Sequence, residues 1–168
     1  MGYFIILRGP LGIGKTTISK KLSKILGAHH VSMDEVLEKN GLDKVDENAG
    51  CIPLENFIKA DELILPKIRE KLDRSRIVIF DGCFYHKKQI EHLISSLNFP
   101  NFVFTLKAPL TVCIERDSKR QKPLGQDAAE AVHNLVSKFD YGKIINAGKS
   151  EKEIIREITS KIPKVIPD

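Results

Sequence analysis

Near the start of the chain, Gly9-Pro10-Leu11-Gly12-Ile13-Gly14-Lys15-Thr16 satisfies the pattern GxxxxGK[ST] at every fixed position. Gly9, Gly12 and Gly14 leave room for backbone N–H groups to converge on phosphate oxygens, where side chains would obstruct them. Lys15 can reach the β- and γ-phosphates, and the Thr16 hydroxyl is a ligand suited to Mg²⁺. Ile13 and Thr17 complete the expected nucleotide-contacting set around this loop. A chance glycine loop is the alternative. The context argues against it, since the motif follows a predicted strand and opens a predicted helix. The loop is therefore expected to hold a nucleoside triphosphate with Mg²⁺, with ATP as the expected donor and its preference over GTP left open.

Two carboxylates stand where they could complete such a site. Asp81 ends the most apolar run of the chain, Ile77-Val78-Ile79-Phe80, at the place of a metal-binding carboxylate; an Asp-Gly turn is the bland reading. Asp34 falls just past a second predicted strand. A carboxylate there could accept the proton of an attacking hydroxyl and orient it in line, or it could cap a helix beginning at Glu35. Further on, Arg116-Asp117-Ser118-Lys119-Arg120-Gln121-Lys122 is strongly basic. Arg116 and Arg120 at helical spacing would share a face and could neutralise charge on a transferring phosphoryl group. Lys119 and Lys122 could join them, or the run is a solvated surface.

A phosphate loop specifies what is bound and leaves its use open. Asp34 favours transfer of the γ-phosphate to a hydroxyl of a small molecule, nucleoside or nucleotide. The absence of an NKxD tetrapeptide and the short chain weigh against a switch or motor. A polynucleotide 5′-hydroxyl acceptor and a regulator without any acceptor are the competing readings. The acceptor is expected near segment 34–57 and the loop after Asp81, where Phe84, Tyr85 and His86 could stack on a ring or pack beneath the next helix. His29, His30 and His133 have no paired partner in sequence and read as structural.

These residues need a scaffold, and the chain alternates short apolar runs with amphipathic segments, as parallel sheets covered by helices do. Strands are predicted at Tyr3–Leu7, His29–Ser32, Arg76–Phe80, Phe102–Leu106 and Lys143–Ile145. A helix from about Thr16 to Leu26 places Ile18, Leu22, Ile25 and Leu26 inward and stops at Gly27. A helical turn begins at Val36 and Leu37 and closes at Gly41, followed by a polar stretch to Pro53. The helix Leu54–Leu72 must kink or divide at Pro66. Further helices are read at His86–Leu97, Leu110–Lys119, Asp127–Phe139 with Asp127 as cap, and after Ser150, which forms a capping box with Glu153. Pro163 and Pro167 end the pattern. The fold expected is a single α/β domain over 1–168, with ligands at the carboxyl ends of the strands.

Composition narrows the class further. The 168 residues are 42% hydrophobic and 29% charged, as in an ordinary globular domain. No apolar run approaches membrane-spanning length, and a cytoplasmic location is the default. Cys51, Cys83 and Cys113 are widely spaced, which suits reduced structural thiols rather than zinc or disulfides. A net charge of +5 suits phosphate ligands and is compatible with nucleic acid without favouring it.

Taken in order, these motifs resemble the small P-loop kinases that include chloramphenicol phosphotransferase, adenylylsulfate kinase and polynucleotide 5′-hydroxyl kinase. The likeness rests on the phosphate loop, on Asp34, and on Glu115 to Arg120, which is similar to an RxxxR lid. Val132-His133 followed by Phe139-Asp140-Tyr141 resembles the chloramphenicol phosphotransferase pattern. The resemblance implies a three-layer P-loop NTPase sandwich with a five-stranded parallel sheet and a short basic lid at about 116–126. It further implies that Arg116 flanks the adenine, Arg120 the phosphates and Asp34 the acceptor hydroxyl, with Ala147 and Gly148 on the turn past the base. Two departures stand out. Glu35-Val36-Leu37-Glu38 occupies the place of an arginine that grips anionic acceptors, and Asn146-Ala147 replaces an Asp-Thr pair.

Overall fold

The computed structural model describes residues 1–164. Its sheet is parallel and five-stranded, in the order β2-β3-β1-β4-β5. The strands are β1 (Tyr3–Arg8), β2 (His29–Ser32), β3 (Ile77–Gly82), β4 (Asn101–Lys107) and β5 (Lys143–Asn146). Seven helices connect and follow them: α1 (Lys15–Leu26), α2 (Met33–Lys39), α3 (Leu54–Asp73), α4 (Lys87–Leu97), α5 (Leu110–Ser118), α6 (Gln126–Val136) and α7 (Glu151–Thr159).

Side-chain alternation along β1 divides the interior into two cores. Tyr3, Ile5 and Leu7 pack with Ile18 and Leu22 of α1 and with Ile154 and Ile158 of α7. Phe4 and Ile6 face the other way, against Leu37 of α2, Phe57 and Leu72 of α3, and Ile90 and Leu93 of α4. The result is a three-layer sandwich with helices on both faces of the sheet. Each fully buried Leu or Ile contributes on the order of 2 kcal/mol of transfer free energy to this arrangement.

Register then aligns the strand ends. Asp81 lies between Leu7 of β1 and Ser32 of β2, so the chain leaves β1, β2 and β3 at one level. Strand order reverses here, since β1 is followed by β2 on one side and neighbours β4 on the other. A crevice at the carboxyl ends is the consequence.

Several local expectations change. Ile25 is 61% exposed, because α1 turns that position beyond the sheet and buries Ser19 and Ser23 beside Ile18 and Leu22 instead. The proline in α3 neither divides nor ends the helix, which runs through Pro66. Both Pro66 and Glu62, whose carbonyl loses its partner, are exposed, so water can replace the missing bond. Helix α2 starts earlier than expected, capped by Ser32, whose hydroxyl accepts from Glu35 N at 3.4 Å. Asp34 therefore has no capping duty. Asp127 does not cap α6 either; Gly125 stands at that position without a side-chain cap. The Ser150–Glu153 capping box is present, and Pro167 lies outside the described residues.

One buried side chain joins these layers. Arg8, at the end of β1, is fully buried without a carboxylate against it. Its Nε donates to Phe84 O at 3.3 Å, Nη1 to Thr105 Oγ1 at 3.1 Å and to Phe139 O at 3.2 Å, and Nη2 to Val136 O at 3.0 Å. The Phe139 ring lies 4.4 Å from the guanidinium carbon. Burial lowers the Arg8 pKa to about 10, although Asp140 and Cys83 oppose the shift. The guanidinium fork serves four acceptors, where an ammonium has three donors and no plane to stack. Arg8→Lys is expected to cost about 2–4 kcal/mol of stability in urea unfolding, with the slope of the transition unchanged. A loss below about 0.5 kcal/mol would show that the network is dispensable.

Candidate functional site

The loop between β1 and α1 wraps a cleft of about 270 Å³. Gly12, Gly14, Lys15, Thr16 and Thr17 form one wall, and Asp34, Arg116 and Arg120 face it. The sequence-predicted loop, base and lid residues are thus brought together in one crevice. Gly14 adopts φ 93° and precedes the first turn of α1, whose free N–H groups open into the cleft. Gly12 has φ 76°, and a Cβ there would lie 2.3 Å from Cys113 O of α5. Only glycine permits this approach of loop to helix.

Lys15 is buried, with its Nζ donating to Pro10 O at 3.3 Å. Burial disfavours its charge, yet the hydrogen bond with Cys83 and the charges of Asp34 and Asp81 outweigh that effect and raise its pKa. The amine therefore stays a cation inside the protein. Cys83 responds in the opposite sense: burial pushes its thiol up to about 11, so it remains protonated beside the ammonium.

Asp81 is buried beneath this group. His30 Nε2 lies 3.2 Å from its Oδ2 and 3.1 Å from Ser19 Oγ. Burial pushes the Asp81 carboxyl up, but the His30 hydrogen bond, the Lys15 charge and the Thr16 hydroxyl together hold it below its ordinary value. His30 was absent from the expected site, yet period-2 alternation supplies a signal for it. Positions 30 and 32 of β2 share the face on which α1 lies, and Ile79 and Asp81 of β3 share it too.

Asp34 reaches solvent through the mouth of the cleft, while the surrounding walls exclude much of the water. That desolvation raises its pKa, with Asp81 in support and Lys15 and Arg120 in opposition. The arrangement is a carboxylate held between a buried cation and an exposed one, able to receive a proton near the end of a bound phosphate chain.

The basic segment is divided differently from the expected single helix face. Arg116, on α5, donates Nη1 to Ile13 O at 3.0 Å and Nη2 to Ala147 O at 3.1 Å. It ties the phosphate loop to the turn after β5. Helix α5 ends at Ser118, so Arg120 stands beyond it, yet both arginines line the cleft. Lys119 pairs with Glu115 at 2.8 Å on the surface instead of joining them. Asp117, which the expected site also lacked, organises this loop. Its buried carboxylate accepts from Leu124 N at 3.0 Å and Gly125 N at 3.0 Å, and pairs with Arg120 at 3.4 Å.

Other expected residues lie around the cleft rather than in it. Ile13 is packed into the core below the loop, Gly9 is buried at its entrance, and Ala147 is buried with its N–H donating to Lys107 O at 2.8 Å. Gly148 is exposed, its N–H donating to Asn146 Oδ1 at 2.9 Å. Phe84 is turned into the core at φ 47° and presents no ring to an acceptor. Tyr85 and His86 instead clamp one residue of the polar segment. Ile52 N donates to the Tyr85 hydroxyl at 3.0 Å, and His86 Nε2 donates to Ile52 O at 2.8 Å. Tyr85 also lines an adjoining cavity of about 290 Å³ that shares Asp34 with the cleft. His133 donates to Ala108 O at 3.1 Å beside a separate hollow of about 530 Å³, which contains neither Lys15 nor Asp34.

Residues 4–139 match the family described as AAA domain. The chain is 26% identical over 132 residues to a shikimate kinase of Actinobacillus succinogenes, covering 78% of this chain and 74% of that one. It is 28% identical over 160 residues to a deoxyguanosine kinase of Bacillus subtilis, covering 82% and 76%. Among solved structures, a sugar kinase of a Janibacter species superposes with a TM-score of 0.72 at 16% identity, covering 95% and 94%. That last likeness is one of fold. No helix among the described residues is long and apolar enough to cross a membrane.

The carboxylate of Asp117 yields the first test of this site. Asp117→Ala is expected to speed amide hydrogen exchange at Leu124 and Gly125 by about tenfold or more and to weaken nucleotide binding. Unchanged exchange at both amides would refute the anchoring role.

Proposed function

This chain belongs to the AAA domain family, and from that membership we propose that it transfers the γ-phosphate of ATP to a hydroxyl group. The observation that carries this reading is the placement of Lys15 and Asp34 in one cleft with Arg116 and Arg120. A hydrolytic switch has no need of a carboxylate at that point, whereas a hydroxyl acceptor needs one to take its proton. The kinase names of the related proteins support the same class of reaction.

In this reading the Gly12–Thr17 loop and Lys15 bind the β- and γ-phosphates. Arg116 lies at the base end, between the loop and the Ala147–Gly148 turn. Arg120 neutralises charge on the transferring group from the opposite side. Asp34 holds the acceptor hydroxyl in line and receives its proton as the oxygen–phosphorus bond forms and the bond to the β-phosphate oxygen breaks.

Mg²⁺ fits the donor set. The cleft offers the Thr16 hydroxyl and, beneath it, an ionised Asp81, while no cluster of three or more His, Cys, Asp or Glu suited to a metal occurs among the described residues. Mg²⁺ characteristically takes one or two protein oxygens and fills its shell with phosphate and water. Thr16 and Asp81 would hold it, and when bound it would neutralise the β- and γ-phosphate oxygens. His30 and Ser19 fix the orientation of Asp81 whether or not the ion is bound.

Two substitutions separate the roles. With labelled ATP, Lys15→Ala should abolish nucleotide binding, whereas Asp34→Asn should reduce transfer about 10²- to 10⁴-fold and leave ATP affinity nearly intact. The base must be deprotonated to act, so kcat/KM for the acceptor should fall as pH drops through the raised Asp34 pKa. That acid limb should lie above the ordinary 3.8 and vanish in Asp34→Asn. Full transfer by Asp34→Asn would remove the base assignment.

A further inference from the structure

The cavity that adjoins the phosphate cleft differs from it in charge. Its volume is about 290 Å³, and none of its described lining residues is Lys, Arg or His. Three carboxylates line it: Asp34, Glu38 and Asp43. Asp34 and Glu38 lie on the same face of α2, one turn apart, about 6 Å along the helix axis. Neither Glu38 nor Asp43 makes an ion pair among the described residues. Their charges are thus left unbalanced on the wall of the cavity.

The rest of the lining is apolar. Phe57 and Tyr85 meet edge to face with centroids 5.4 Å apart, and Leu37 and Leu135 border the same space. On the lips stand Val45, 49% exposed, and Leu124, 54% exposed. Val45 belongs to the polar segment held by the Ile52 clamp, and Leu124 to the loop hung on Asp117. Two large apolar side chains at opposite edges of an open cavity are a surface that an apolar ligand would cover.

We infer that the acceptor is an alcohol with an apolar, ring-sized body and a cationic amino group, the hydroxyl at Asp34 and the amine at Glu38 and Asp43. This rests on the phosphotransferase reading and names the acceptor class for that same site. An anionic acceptor would bring like charge against three carboxylates with no cation in the lining to receive it. Glu38 makes the difference, because the one charged residue that α2 adds to the lining beyond Asp34 is an acid. One helical turn, about 6 Å along the axis, separates Asp34 from Glu38 and gives the scale of the distance between hydroxyl and amine. The cationic half of the site, Lys15, Arg116 and Arg120, is left for the nucleotide.

The test uses aryl alcohols matched in size that carry a primary amine, its N-acetyl amide or a carboxylate at about that distance from the hydroxyl. Each is assayed with labelled ATP against the unmodified protein, the double variant Glu38→Gln with Asp43→Asn, and Glu38→Lys. The amines should exceed the amides in kcat/KM by about tenfold or more, with the carboxylates lowest. In the double variant the amine-to-amide ratio should fall towards one, and Glu38→Lys should move the preference towards the carboxylates. Both readouts are ratios within one preparation, so partial loss of folded protein does not disturb them. Preference for amides or carboxylates, or an amine preference that survives the double variant, overturns the acceptor class alone. Transfer to no member, with ATP binding intact, also overturns the acceptor class alone, since the phosphotransferase reading stands or falls with the Asp34→Asn comparison.

Discussion

The structure depends on one buried cation that lacks a buried anion. Arg8 ends the central strand and immediately precedes the phosphate loop, and its whole fork is spent on four neutral acceptors from three separate segments. Removing a guanidinium from water is expensive, and the exposed carboxylate of Asp140 offsets only part of the cost. What offsets the rest is the end of α6. Val136 closes that helix and Phe139 follows it, so their carbonyls carry the negative end of the helix dipole, and the Phe139 ring adds its face. The acceptors in turn become fixed by the cation. Phe84 O is held against β1 and sets the start of the loop whose next two residues clamp Ile52. Thr105 and the end of α6 are drawn to the other side. The phosphate-type loop, the segment clamped at Ile52 and α6 are thereby referred to a single atom group.

That hub also explains why half of the site is legible in the sequence and half is not. The phosphate loop is local: its chemistry, its glycines and its helix lie within a dozen residues, and the strand before it reads clearly by its apolar run. The strands and most helices follow for the same reason, from short-range periodicity. Arg8 finds partners 76, 97, 128 and 131 residues away, and nothing near it in the chain names them. The same holds for His30 on Asp81, 51 residues apart, and for the Tyr85 and His86 clamp on Ile52. Phe84 illustrates the limit well. Its aromatic type suggested stacking on a ligand, but a positive φ set by the turn after Gly82 directs it into the core. Pro66 illustrates the reverse, since the rule that proline breaks helices fails where the lost hydrogen bond faces water.

Electrostatics divides the crevice along Asp34. On one side the buried ammonium of Lys15 and the two arginines make a field suited to phosphates. On the other the lining holds only acids among its charged groups. Asp34 belongs to both and feels both: walls and Asp81 raise its pKa, and Lys15 and Arg120 lower it. A base at such a boundary takes up its proton without a large cost, because the surroundings tolerate either state. Lys15 is held in the opposite condition. Burial would neutralise it, yet the adjacent acids keep it charged. The Lys15 side of the crevice is therefore fixed in charge, whereas Asp34 is free to change.

Mobility divides along a related line. Gly12 touches Cys113 O too closely for any side chain, and Arg116 grips Ile13 O from the next turn of the same helix. The root of the lid is thus packed against the phosphate loop as one body, and α5 cannot swing away without breaking both contacts. Beyond Ser118 the helix ends, and past Lys119 the chain is held by Asp117, through two amides and Arg120. Local openings are easiest where buried apolar contacts are few, and the residues from Lys119 to Gly125 are all exposed. Arg120 and Leu124, which line the cleft and the adjoining cavity, therefore sit on the least supported stretch of the wall, tied at one carboxylate to a helix that is packed in place.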